Sequence, residues 1–345
     1  MITPLPQWKA LERAFGEPAL RVAFKQQLAD FRVEEQLGFE GDGTGEHLLL
    51  FIEKTGLTTF DAQDILARHF RVPLRDTAFA GMKDKMGITR QWFSVPHGDR
   101  TDTSAPVDHP QLRVLHSMRN SRKLRRGSHR ANDFHIVLRN PVGDLDSLLQ
   151  RADLIGERGV PNYFGAQRFG RNENNVPDAL AWFRGEATPL RQQRSLLLSA
   201  TRSYLFNVLL SQRVKQGSWN AWVAGDVMQL AGSASSFACS RATPEDLQRR
   251  LAEFDIHATG PLWGQGEPAV TEDALALERD LADQYPELCA GLVMHGLEQE
   301  RRPLRAQVKN LQVRIDGDEV IVEFSLARGT YATSVLRELV YLEGE

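Results

Sequence analysis

The chain has 345 residues, 41% hydrophobic and 25% charged, with a net charge of −3. That is ordinary for a folded protein, and long enough for two domains or for one domain carrying a large insertion. It excludes a disordered chain, a protein that is cationic as a whole and, with no run of eighteen apolar residues, a transmembrane helix.

In chain order, residues 1–18 read as a loose arm broken by prolines and glycine. Met1 to Pro6 lack the basic and apolar blocks of a secretion signal. Residues 22–35 and 47–53 read as strands, the second around Leu48-Leu49-Leu50-Phe51-Ile52. Thr59 is the expected N-cap of a helix with Phe60, Ile65, Leu66 and Phe70 near helical spacing, ended by Pro73. A short strand over 77–81, a loop at 83–87 and a strand over 88–95 follow. Strands over 112–118 and 133–138 flank a basic segment, and a helix is expected over 145–156.

From about Gly159 to Arg302 the pattern turns mostly helical. A long helix is expected over 191–216, one opening at Thr243-Pro244, and an acidic one at Thr271. Strand alternation returns at 311–315 and 320–324, separated by Asp316-Gly317-Asp318-Glu319 in a hairpin signature. Gly329-Thr330-Tyr331 then leads into a last helix carrying Val335, Leu336, Leu339 and Val340. The order α/β, helical block, α/β fits a block inserted between two parts of one domain better than three separate domains.

Cys239 and Cys289 lie far apart, so free buried thiols in a cytoplasmic protein are expected, with neither a disulfide framework nor a zinc site. Metal-ligand, phosphate-loop and nucleophile-elbow spacings are absent, which argues against an NTPase or a metalloenzyme. Between Asp108 and Asp133 there is no acidic residue, while Arg113, Arg119, Arg122, Lys123, Arg125, Arg126 and Arg130 all occur. Such a run is either a solvated loop or an electrostatic footprint for phosphates.

Three segments carry candidate chemistry. Asp84 lies between Lys83 and Lys85 in Ala80-Gly81-Met82-Lys83-Asp84-Lys85. If the lysines face it they favour its ionised form, and an ionised Asp can act as nucleophile, base or stabiliser of an oxocarbenium-like sugar. A solvated loop charge is the plainer reading. Asn132 and Phe134 follow the basic run and can read and stack an extruded base, although Phe134 equally fits a strand core. Tyr331 stands at a helix start, over a cleft or partly buried.

Together with Thr89-Arg90-Gln91-Trp92, Gly159-Val160-Pro161-Asn162-Tyr163-Phe164-Gly165-Ala166-Gln167-Arg168-Phe169-Gly170 and Gly329 to Leu339, these segments resemble the pseudouridine synthase D family of tRNA-modifying enzymes. The resemblance spans nearly the whole chain. It implies an α+β fold: a pseudouridine-synthase catalytic domain with a mixed, mainly antiparallel sheet, formed by residues 1–158 and 304–345 and interrupted by a largely helical inserted domain at 159–303. It further implies an isomerase that converts uridine 13 of tRNA to pseudouridine without a nucleotide or metal cofactor; a cytoplasmic monomer away from membranes is expected.

Carried over residue by residue, the resemblance makes Asp84 the catalytic aspartate and places Phe31, Asn132, Phe134 and Tyr331 at the substrate. Tyr331 matches a position held by Phe in a relative. Other synthase families carry an arginine two residues beyond that aromatic; here it is Thr333, so Lys25 becomes the candidate counter-ion of Asp84. Arg122, Lys123, Arg125 and Arg126 are the expected phosphate contacts, with Arg168, Arg171 and the arginines of 191–202 across the cleft. The rival readings are a nucleosidase-like enzyme using Asp84, and a non-catalytic RNA-binding protein.

Overall fold

The computed structural model describes residues 5, 7–98 and 107–343; the expectation about Met1 to Pro6 falls mostly outside them. The first part comprises β1 (Leu20–Phe24), β2 (Phe31–Leu37), β3 (His47–Thr55), α1 (Thr59–Phe70), β4 (Ala78–Phe79), β5 (Ile88–Pro96), β6 (Leu112–Asn120), β7 (His129–Gly143) and α2 (Leu145–Arg158). The middle holds β8 (Val160–Pro161), α3 (Asn175–Phe183), α4 (Arg191–Lys215), β9 (Val227–Leu230), β10 (Ser236–Ala238), α5 (Pro244–Ala252), β11 (Ile256–Leu262), α6 (Glu272–Gln284), α7 (Pro286–Met294) and β12 (Glu300–Pro303). The last part is β13 (Arg305–Ala306), β14 (Val308–Asp316), β15 (Glu319–Ala327), α8 (Ala332–Leu339) and β16 (Tyr341–Leu342).

A ten-stranded sheet joins the first and last parts, with the path β14-β15-β7-β2-β5-β3-β6. Only the β2–β5 and β1–β16 pairings in it are parallel, so the sheet is mixed and mainly antiparallel. The β14–β15 hairpin pairs Asp316 with Glu319, and Gly317 supplies the left-handed turn at φ 57°. Helices α2 and α8 bury Leu148, Ile155, Val335 and Leu339 against Phe31, Val33, Ile136 and Phe324 of the sheet. A second core, built on α4, gathers the middle part with Trp8, Leu11 and Tyr163.

Four expectations are corrected. The strand over 22–35 is two strands: Lys25 turns left-handed (φ 55°), and Asp30 caps the intervening turn by accepting from the Gln27 amide at 2.8 Å. Helix α1 is capped by Thr58, in a box with Asp61; its buried face is Ala62, Leu66 and Ala67, leaving Phe60 50% exposed. The helical block also holds a four-stranded sheet, β10-β9-β11-β12. Strand β11 is buried on both faces over Ile256 to Pro261, which removes the two-residue alternation that betrays a strand. The described part of the arm is tied down rather than loose: Trp8 and Leu11 are buried, and the Trp8, Glu12 and Ala14 amides donate to Glu173, Ser211 and Glu338.

Candidate functional site

The segment Ala80 to Gly87 crosses the sheet face beside β2 and is held by several hydrogen bonds. The Ala80 amide donates to the Trp92 carbonyl at 3.2 Å, and the Gly127 amide donates to the Ala80 carbonyl at 2.7 Å. Gln91 Nε2 donates to the Gly81 carbonyl at 2.9 Å, and the Lys83 amide donates to Thr59 Oγ1 at 2.9 Å. A Cβ on Gly81 would sit 2.5 Å from Glu35 Oε2 and would push that side chain aside, and one on Gly87 would sit 2.5 Å from the Phe31 carbonyl oxygen, so glycine is needed at the second. The Thr89 to Trp92 motif is thereby explained: it supplies Gln91 and the Trp92 backbone to hold this loop.

Asp84 projects from the loop with its side chain 36% exposed, and Lys25 Nζ donates to its Oδ2 at 2.8 Å. The flanking lysines behave otherwise than the charge pattern implied. Lys83 turns to Glu35 at 2.5 Å, where Glu35 also accepts the Trp92 amide at 3.0 Å, and Lys85 is exposed. His129 completes this buried cluster, 3.9 Å from Glu35; burial lowers its pKa, opposed by the Glu35 charge. Beneath the loop, Lys54 donates to the carbonyls of Asp84 at 2.9 Å and Leu57 at 2.6 Å.

Strand register brings the other candidates to the same face. Phe31, Val33 and Glu35 lie opposite Ile136, Phe134 and Asn132, so all six side chains point the same way. Phe134 stacks on Phe324 with centroids 5.1 Å apart and lies 6.2 Å from Phe31. Lys25 Nζ stands 3.9 Å above the Phe31 ring on its way to Asp84. Asn132 is buried, and its Oδ1 accepts no hydrogen bond from the described residues.

Tyr331 stands apart from these contacts. It is half-buried at the N-cap of α8, with its ring 5.9 Å from that of Phe164. Thr333 Oγ1 lies 2.6 Å from where Gly165 would carry a Cβ, so the Phe164-Gly165 pair makes room for this turn. Arg302 closes the junction: its guanidinium sits 4.1 Å from the Phe164 ring and donates to the Gly329 carbonyl at 2.9 Å.

The basic segment is less free than its sequence implied. Arg113 pairs with Glu53 at 2.8 Å, Lys123 donates to the Arg75 carbonyl at 2.8 Å, and Arg126 lies 5.0 Å from the Phe79 ring. Arg122 and Arg125 are exposed at a cavity of about 800 Å³ that Phe39 and His47 also line. In the middle part, Arg168 donates to Ser203 and Arg202 to the Leu262 and Glu298 carbonyls. A groove of about 720 Å³ lies on the reverse face, against Arg32, Glu34, Arg90 and His135. There Arg90 pairs with Glu34 and Glu53, and His135 Nδ1 lies 2.8 Å from Glu323 Oε1.

Sequence reasoning missed Glu35, Lys54, Gln91 and His129. Lys54 had a signal: it falls on the buried parity of β3, after Leu48, Leu50 and Ile52. Among the described residues no cluster of three or more His, Cys, Asp or Glu could hold a metal ion. Nor is any described helix long and apolar enough to cross a membrane. Both cysteines are free and buried, and burial pushes the Cys289 thiol up to about 12.

Residues 14–177 and 187–339 match the family model of tRNA pseudouridine synthase D. The chain belongs to that family. The tRNA pseudouridine synthase D of Methylococcus capsulatus is 43% identical over 338 residues, spanning 97% of this chain and 95% of that protein. That of Pseudomonas entomophila is 42% identical over 333 residues, spanning 96% and 94%. A crystal structure of a Methanosarcina mazei protein, described there only as a putative tRNA pseudouridine synthase D, superposes with a TM-score of 0.73. It covers 95% of both chains at 21% identity and bears out the α+β fold. The matched spans of the synthase D family include Lys25, Phe31, Asp84, Asn132, Phe134 and Tyr331.

Proposed function

We propose that this protein is a tRNA pseudouridine synthase that isomerises uridine 13 of tRNA, with Asp84 as its catalytic residue. One observation carries the assignment of the site: the accessible Lys25–Asp84 pair lies on the sheet face that presents Phe31, Phe134 and the unpartnered Asn132 Oδ1. The target uridine leaves the RNA stack at a cost of roughly a few kcal/mol. Phe31, Phe134 and Tyr331 receive the base and Asn132 accepts from its polar edge. Asp84 promotes cleavage of the N1–C1′ bond, by attack at C1′ or by removing a sugar proton, while Lys25 holds its carboxylate by a hydrogen bond of 2.8 Å. The freed uracil turns and joins C1′ through C5; C5 then loses its proton and N1 gains one, so the product is an isomer.

Arg122, Lys123, Arg125 and Arg126 hold tRNA phosphates in this reading, and the enzyme acts as a cytoplasmic monomer. Residues 159–303 act as an inserted domain. Supporting this, β8 and β13, at its entry and exit, pair side by side through Pro161 with Arg305 and Val160 with Ala306. Mapping pseudouridine in tRNA by mass spectrometry after incubation with wild type and Asp84→Asn tests the assignment. Pseudouridine is expected from wild type alone. Product from Asp84→Asn overturns the role of Asp84, and release of free uracil by wild type favours a nucleosidase.

A further inference from the structure

Lys54 is an anomaly of the fold. It ends β3 on the face that carries Leu48, Leu50 and Ile52, and it is 0% exposed. Burying an ammonium costs far more than burying the leucine that this parity invites, unless its donors are used. Two of them are, and both go to backbone carbonyls: Leu57 at 2.6 Å and Asp84 at 2.9 Å. The charged groups that face it are Asp84 and Lys83 from the loop and Asp61 from α1. Burial is the dominant influence and lowers its pKa to about 8, with Asp84 opposing. Asp84 is thus held at both ends, its carboxylate by Lys25 and its carbonyl by Lys54.

We propose that Lys54 is a positioning residue of the isomerisation, its buried ammonium fixing the Asp84 backbone so that the carboxylate stays aimed at the sugar. This rests on the reading of Asp84 as the catalytic residue. Lys54 touches no substrate; it acts by denying the loop the displacement of about an ångström that misaligns a reacting group. The chemistry explains the residue type: an ammonium reaches two carbonyls at once from below, which no apolar side chain and no single hydroxyl can do.

The test compares wild type, Lys54→Met, Lys54→Gln and Asp84→Asn for folding, tRNA affinity and single-turnover pseudouridine formation across pH. Lys54→Met should bind tRNA within about twofold of wild type and lose about 10²-fold in rate, the effect of small misplacement. Lys54→Gln, which can still donate to one carbonyl, should lose about tenfold, the worth of one hydrogen bond. The wild-type rate should fall as pH rises through about 8, and the glutamine variant should lack that limb. A folded variant with the wild-type rate, a rate loss mirrored in tRNA affinity, or an unchanged alkaline limb overturns the proposal. If both Lys54 variants fail to fold, the role is structural and the proposal also fails. An active Asp84→Asn would instead remove the reading beneath it.

Discussion

Lys25 reaches Asp84 from a left-handed backbone position: its φ is 55° and its Nζ lies 2.8 Å from Asp84 Oδ2. A lysine in that conformation is uncommon and costs about 1 kcal/mol or more. The turn it makes splits β1 from β2 and carries its side chain across the Phe31 ring, so the break in the strand is what delivers the cation. Lys25→Met should fold normally, because the pair is only partly buried and its loss costs on the order of 1 kcal/mol. Its single-turnover rate should drop by roughly 10-fold to 10²-fold as a preorganised charge is lost. An unaltered rate would remove the pair from the mechanism.

Glu35 and Lys83 form a buried pair beside the loop, with side chains 0% and 6% exposed. Removing one partner strands the other charge. Glu35→Ala should destabilise by about 3–5 kcal/mol in urea denaturation, whereas Glu35→Leu combined with Lys83→Met should recover much of that loss. Equal losses in the single and double variants would contradict this account.

Replacing Arg122, Lys123, Arg125 and Arg126 with glutamine should weaken tRNA binding and flatten its salt dependence, by about one unit of slope for each phosphate no longer neutralised. The structure ranks the four. Lys123 is engaged with the Arg75 carbonyl and Arg126 lies on Phe79, so Arg122 and Arg125, exposed at one cavity, should account for most of the change. Binding isotherms at several salt concentrations measure it; an unchanged slope means that this surface faces away from RNA.

His257, on β11, accepts from Arg305 Nε at 3.3 Å. Burial, and then the Arg305 charge, lower its pKa from 6.5 to about 4. Between those values the unfolded chain binds a proton that the folded one refuses. The contribution is therefore complete above pH 6.5 and is lost as pH falls from 6.5 towards about 4. Urea midpoints of wild type should fall across that window more steeply than those of His257→Gln. Parallel curves would show that His257 does not drive the acid transition.

Much of this fold was legible because its signals are local. The Asp316-Gly317 turn, the Thr243-Pro244 helix start and the loop around Asp84 all stand where patterning put them. The misses have two causes, contacts between residues distant in sequence and local turn geometry that periodicity does not show. Nothing local says that Lys83 turns to Glu35, 48 positions away, rather than to its neighbour Asp84. Helix period alone left Phe60 on the apolar side of α1, whereas the turn set by Thr58 and Asp61 exposes it. Strand β11, buried on both faces, had no alternation to read.

The clamp on the N-terminal segment has a consequence for biosynthesis. Arg337 donates to the carbonyls of Leu11 and Glu12, and Glu338 accepts the Ala14 amide, across separations of 324 to 326 residues. Residues near position 11 therefore emerge from the ribosome long before their α8 partners exist, and Trp8 and Leu11 stay uncovered until the α4 core that buries them has been made. Closing so large a loop is slow, which makes this the expected final step of folding and the interval in which a nascent chain most needs a chaperone.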